Sequence, residues 1–266
     1  MAETATATGY EPLDTLKPVA DDIWLIDGPP QRFHAMPYPT RCTLVRLQNG
    51  DLWVHSPTAL TSALRKEVDA LGPVRHLIAP NWIQGAHIAD WQRAYPEALA
   101  YSAPGTGQRS AKKGLKIDFD HDLDETAQAP WSGQIDQIIV HGSRVHREAV
   151  FFHRASQSLI VADLIENLET AKLPVWMRPL VWLAGSDDSD GKMRLDMRMT
   201  FRKAPLADAV ERMIAWQPRR LILAHGRWYP ENAVDELRRA FRRVLNDREW
   251  TTVMDQMKTD RTKKDG

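Results

Sequence analysis

The side chains best suited to chemistry in this chain stand where apolar runs stop. Asp163 follows the run Ser158 to Ala162 (SLIVA), and His225 follows Arg219 to Ala224 (RRLILA) and precedes Gly226. A carboxylate at a strand end serves as a metal ligand, a base or a helix cap. An imidazole there is a ligand or a hydrogen-bonded structural group, and the glycine after it admits a close backbone approach. Asn81, after HLIAP, either orders its loop through its amide or touches a ligand. His55 lies before Ser56-Pro57, His146 in the polar stretch SRVHRE and His153 at the end of AVFFH. The polar neighbours of His146 put it in solvent, His153 is read as a surface or sheet-edge histidine, and His55 as a pocket candidate.

Several chemistries are disfavoured. There is no GxSxG elbow, no GxGxxG or GxxxxGK[ST] phosphate loop and no HExxH. Ser56, Ser102 and Ser143 have no evident triad order with the histidines. The acidic cluster Asp118, Asp120, Asp122, Asp124 and Glu125 lacks the glycine and spacing of a calcium loop. The single Cys42, in the apolar run CTLVRL, rules out an internal disulfide or a multi-thiolate metal site and reads as a buried thiol. Lys+Arg and Asp+Glu balance at 35 each, so net charge gives no case for a nucleic-acid partner.

The elements that must position these residues follow from periodicity. Strand signals cover Asp22 to Asp27, Cys42 to Leu47, Leu52 to His55, Val74 to Ile78, Ala98 to Ser102, Ile135 to Val140, Ala149 to His153, Ser158 to Ala162 and Arg219 to Ala224. Asn49-Gly50 makes a hairpin turn, and Arg154 to Gln157 makes another. Arg32 to Thr40, punctuated by prolines, reads as a loop. Helices are expected from Thr58 to Gly72, from Ile88 to Tyr95, around Leu168 to Ala184, from Pro205, and from Pro230 to about Asn246. Residues 106 to 130 read as a solvated loop with a turn of helix. Residues 1–19 are expected to be a flexible segment, 20–250 a single domain and 251–266 a frayed tail. The N-terminus has no secretory pattern and no apolar run approaches a membrane span, so a cytoplasmic protein is expected. The segment Leu173 to Gly185 carries Trp176, Met177 and Trp182, which suit a pocket cover or a docking surface.

Strands in two runs, each followed by helices, suit an α/β fold of two mixed sheets packed face to face with helices outside. The phrases DLWVHSPTAL, HLIAPN, VFFHRASQSLIVADLI and LILAHG resemble the DUF4336 family of uncharacterised proteins. The element order resembles the metallo-β-lactamase fold, an αβ/βα sandwich. That resemblance implies a metal cleft, with Asp163 matching the bridging aspartate, His225 the last histidine ligand and His146 the middle one. Active members carry HxHxDH after the strand that corresponds to Val74 to Ile78. Here Asn81, Ile83, Gly85 and Ala86 stand at those places, and His87 lies one step beyond. Apolar side chains cannot ligate an ion and Asn is a weak neutral donor.

The candidate pocket is therefore Asn81, His87, His146, Asp163 and His225, with Asp163 and His225 the candidate ligands of at most one divalent ion (zinc, manganese or iron). The expected function leans to a non-catalytic, ligand-binding scaffold lacking the dinuclear site. The alternative is a mononuclear metal-dependent hydrolase of an ester, thioester or lactone. A small-molecule ligand, no nucleic acid, no membrane span and homo-oligomerisation complete the expectation.

Overall fold

The computed structural model describes residues 10–33, 36–112, 114, 117–126, 128–189 and 191–264. Two mixed sheets form the body. The first runs in chain order β1 (Lys17–Ala20), β2 (Ile23–Phe33), β3 (Met36–Arg46), β4 (Leu52–His55), β5 (Val74–Ala79), β6 (Leu99–Ser102) and β7 (His121–Asp122). It is antiparallel up to the β3–β4 pair and parallel from β4 to β7. Helices α1 (Ser62–Asp69), α2 (Ile88–Ala94) and α3 (Thr106–Lys112) follow its later strands. The second sheet comprises β8 (Ile135–Val140), β9 (Glu148–His153), β10 (Ser158–Val161) and β11 (Arg220–Leu223), in the order β11-β10-β9-β8. Only its β10–β11 pair is parallel. Helices α4 (Arg178–Ala184), α5 (Leu195–Arg198) and α6 (Lys203–Ala215) lie between β10 and β11, and α7 (Ala233–Ala240) and α8 (Arg242–Lys264) follow β11.

The near-continuous apolar character of β10 has a direct cause: both of its faces are covered. Ile160, with Ile139 and Phe151, faces inward onto Trp53 and Ile78 of the first sheet. Its neighbours Leu159 and Val161 face outward onto Val210, Met213 and Leu237 of α6 and α7. The outer face of the first sheet buries Cys42, Leu44 and Leu77 against Leu64, Val68 and Trp91 of α1 and α2. The layering is helix, sheet, sheet, helix, the αβ/βα sandwich.

Several expectations need correction. Arg32 to Thr40 is mostly strand, because β2 and β3 continue as a long two-stranded arm with an irregularity between Gly28 and Gln31. Prolines fit such an arm, where each strand has an unpaired edge that needs no N–H. The N-terminal helix of the first half starts at Ser62, with Thr61 as its cap. The described part of the N-terminal segment is attached: β1 pairs with β2, and Thr15 Oγ1 and Leu16 N both donate to Glu67. Residues 1–9 lie outside the described residues. The last helix is two helices, and α8 runs on to Lys264, consistent with a stretch that contains neither Gly nor Pro. Met177 is fully buried beside Tyr38, Leu168 and Val181, while Trp176 and Trp182 are exposed. No helix among the described residues is long and apolar enough to cross a membrane.

Phe151 joins the two sheets. It is fully buried and meets Trp53 edge-on with ring centroids 5.0 Å apart. Phe151→Ala is expected to destabilise the protein by about 3–5 kcal/mol, read as a lower urea midpoint at unchanged slope. A loss below about 1 kcal/mol would mean that the inner layer is not packed as described.

Candidate functional site

In open α/β sheets the carboxyl ends of parallel strands collect polar groups, because the next element turns away and leaves a crevice. Here the ends of β4, β5, β10 and β11 deliver His55-Ser56, Asn81, Asp163 and His225. The chain enters β9 at the same end, since Ala149 N donates to Pro80 O at 2.8 Å. That entry brings in His146 and Glu148.

Asp163 is buried, and among the described residues the hydrogen-bonding partners of its carboxylate are nitrogens. Asn81 Nδ2 donates to Oδ2 at 2.6 Å, and Gln84 Nε2 lies 3.2 and 3.3 Å from the two oxygens. His225 Nε2 is 3.0 Å from Oδ1. No helix begins at Asp163, so it is not a helix cap. Glu148 is fully buried beside it and is equally engaged. Its Oε1 accepts from Ala162 N at 2.7 Å, and its Oε2 accepts from Asp163 N at 2.8 Å and Asn81 Nδ2 at 3.1 Å. His146 Nε2 approaches the same oxygen at 3.4 Å. The Asn81 amide therefore bridges two buried carboxyl groups. Its own Oδ1 accepts from Ile83 N and Gln84 N, which folds the NWIQ turn under it.

His225 is held at both nitrogens. Nδ1 donates to Pro39 O at 2.6 Å, so Nε2 carries a proton toward Asp163 only in the imidazolium. Burial alone would lower the His225 pKa, but the hydrogen bond and charge of Asp163 raise it above its ordinary 6.5. Burial likewise works to raise the Asp163 carboxyl, and His225, with His146 and Asn81, holds it well below 3.8. Glu166, also buried, is pushed up by burial despite Arg194 and by the charge of Asp163. It accepts from Tyr38 Oη at 2.7 Å and from Arg194 at 3.3 Å. Tyr38 in turn sets its ring edge-on to His225, 5.1 Å between centroids.

Above this floor lies a cavity of about 340 Å³ lined by, among others, Tyr38, Ser56, Trp82, Gln84, Arg194 and His225. Ser56 holds a left-handed backbone, φ 52°, which is strained for a side chain other than glycine. Its buried hydroxyl has no partner among the described residues. His55, beside it, is fully buried, stacked on Trp53 and edge-on to Phe151. Burial depresses its pKa to about 3, so it is a neutral core residue and not part of the cavity wall.

The residue types decide which metal centre fits. One donor atom each from His146, Glu148 and Asp163 lies within 4.8 Å of the others, a set suited in number and type to a single ion. Such an ion would displace the Asn81 amide from between the carboxyl groups. A dinuclear centre does not fit, because Ile83, Gly85 and Ala86 offer no donor and the lone pairs of Asp163 meet N–H groups.

Of the residues singled out by sequence, Asn81, His146, Asp163 and His225 converge. His87 does not: its ring contacts Gln31 at 2.7 Å and Asp90 at 3.2 Å. His146 and His153 are buried, contrary to the expected exposure; His153 Nδ1 meets Ser156 Oγ at 2.8 Å. Sequence reasoning missed Glu148, Gln84, Glu166 and Tyr38. Glu148 had a legible signal, a carboxylate opening the apolar strand EAVFFH, since a charge entering a buried strand must be compensated.

The sequence matches, over residues 20–203, the family described as a domain of unknown function, DUF4336. No curated protein matches it. Among solved structures, the DIM-1 metallo-beta-lactamase exposed to ceftazidime is similar with a TM-score of 0.61 and 14% identity, over 85% of this chain and 94% of that one. The structure titled VMB-1 at pH 5.5 gives 0.62 and 8% identity, over 90% and 99%. A metallo-beta-lactamase from Pontibacter korlensis gives 0.56 and 13%, over 84% and 98%. At these identities the likeness shows a shared fold.

Two predictions follow from the hydrogen bonding. Glu148→Ala strands the Ala162 and Asp163 N–H groups and the Asn81 amide, and is expected to cost about 3–5 kcal/mol, as removal of one partner from a buried charged network does. Chemical denaturation at pH 7 measures it, and a near-neutral result would remove Glu148 from the framework. For the ion pair, the raised value of His225 makes its contribution complete below about pH 6.5 and lost as pH rises through the folded value. The lowered value of Asp163 makes its contribution complete above about pH 3.8 and lost as pH falls. The stability gap between wild type and His225→Gln is thus expected to be widest between these limits and to narrow in alkali. A gap independent of pH would show that His225 is not protonated in the fold.

Proposed function

The chain belongs to the DUF4336 family, and we propose that it is a ligand-binding protein on a metallo-β-lactamase scaffold, without the pair of metal ions that this fold can house. The observation that carries the reading is the Asn81 amide, 2.6 Å from Asp163 and 3.1 Å from Glu148. It supplies N–H groups where a bridging cation would lie. The cavity over it has the size of small-molecule sites and their usual mixture of aromatic walls and a few directed polar groups. A polar ligand would meet the unpartnered Ser56 hydroxyl and the edge of His225, with Trp82 and Tyr38 as its walls.

A second reading is supported by the His146, Glu148 and Asp163 donor set. With one zinc, manganese or iron ion, the protein would be a mononuclear hydrolase. The ion would acidify a bound water and polarise the carbonyl of an ester, thioester or lactone. The two readings differ in what the centre needs to be stable, because the hydrogen-bonded centre is complete without an ion.

Metal analysis of protein purified without added metal separates them. The expected result is well under one equivalent of transition metal, with a melting temperature unchanged by a chelator. One equivalent or more, lost in Asp163→Asn, together with ester or lactone turnover that the variant abolishes, would replace the first reading by the second.

A further inference from the structure

We propose that a second cavity, which shares Trp82 with the first, binds the phosphate group of a small molecule. Its volume is about 200 Å³, and its wall carries Arg109 and Lys112 from α3 and Arg144 and Arg147 from the connection into β9. Among the described residues no carboxylate lines it. In a chain whose charges balance at 35 against 35, four cations gathered in one concavity repel one another unless an anion joins them. Elsewhere on the surface, Arg75, Arg93, Arg154 and Arg248 each meet a carboxylate. Among the described residues, none of the four cavity cations forms an ion pair.

The cavity is also held in shape before any ligand arrives. Arg109 lies over the Trp82 ring, 5.7 Å from its centroid, and donates to the carbonyls of Arg144 and Val145. Those bonds fix the 144–147 turn against α3 and leave further N–H groups of the guanidinium for an anion. Thr106 and His146, both buried, supply the polar floor. A phosphate group suits this lining, because arginine forks match the spacing of its oxygens and charge-assisted bonds are the strong ones. A single concavity of about 200 Å³ suits the end group of a small molecule better than the backbone of a polynucleotide, which runs on past it. The site stands whether or not the first cavity holds a ligand, and the test does not depend on metal.

The experiment is calorimetric titration of the full chain with pyrophosphate and with inorganic phosphate at low salt. Saturable one-to-one binding is expected. It should weaken roughly tenfold or more in Arg144→Gln/Arg147→Gln, the loss of two charge-assisted contacts, and stay unchanged in Arg75→Gln. Both altered side chains are exposed, so the double variant should fold, and its circular dichroism and melting curve check this. Absence of saturable binding at millimolar probe, or binding that the folded double variant retains, would overturn the site. Sulfate binding as tightly as either probe would overturn the phosphate assignment. A short single-stranded oligonucleotide binding more tightly than pyrophosphate, with affinity growing with length, would overturn the small-molecule assignment.

Discussion

A carboxylate taken out of water must be surrounded by donors, and for Asp163 those donors come from both sheets. Asn81 and Gln84 come from the end of β5 in the first sheet, and His225 from the end of β11 in the second. The sandwich and the site are thus one requirement: the sheets must close at their carboxyl ends for the charge to be met. Arg41 of β3 makes the same crossing at the same end. It is buried, pairs with Asp27 at 2.9 Å, and donates to the carbonyls of Leu223 and Gly226 at 2.8 and 2.7 Å. Gly226 must be glycine there: its φ is +84° and a Cβ would stand 2.0 Å from Asn167 O.

Around this point the carboxyl groups are driven in opposite directions. Asp163 is pulled down against its burial by His225, whereas Glu166 is pushed up by burial against the pull of Arg194 and Tyr38. Asp163 reaches the cavity wall. Glu166 stays behind the wall, where it fixes Tyr38 and Arg194, which do line the cavity. The cavity wall therefore carries one carboxylate, one imidazole edge and a set of positioned polar groups.

The sheet strands were legible because apolar runs of the right length leave few alternatives, and Asp163 and His225 were legible because they terminate such runs. Direction was not legible. His146 lies among arginines in SRVHRE, and the chemistry of neighbours says nothing about which way one loop side chain points; it points inward. Glu148 was lost because a strand starting at Ala149 leaves it in the loop, although the ladder begins with its pairing to Val140. Gln84 was passed over because the comparison HxHxDH directs attention to positions 81, 83, 85 and 86, and the turn that Asn81 builds brings the side chain between them to Asp163. The proline-rich arm was read as loop because propensity does not register a strand whose edges face no partner.

What two buried carboxyl groups sharing one amide require follows from their charge. An amide can copy a metal ion's position between two carboxyl groups and offer each a hydrogen bond, but it carries no net charge to neutralise them. The compensation has to come from elsewhere in the same shell. Here part of it comes from the N–H groups of Ala162 and Asp163 turned onto Glu148, and part from His225, whose Nε2 stands 3.0 Å from Asp163 while Nδ1 donates to Pro39 O. Whether Nε2 accepts from Gln84 or donates to Asp163 is set by the ring's proton, so one imidazole serves both groups. The balance of charge belongs to the network and not to a single residue.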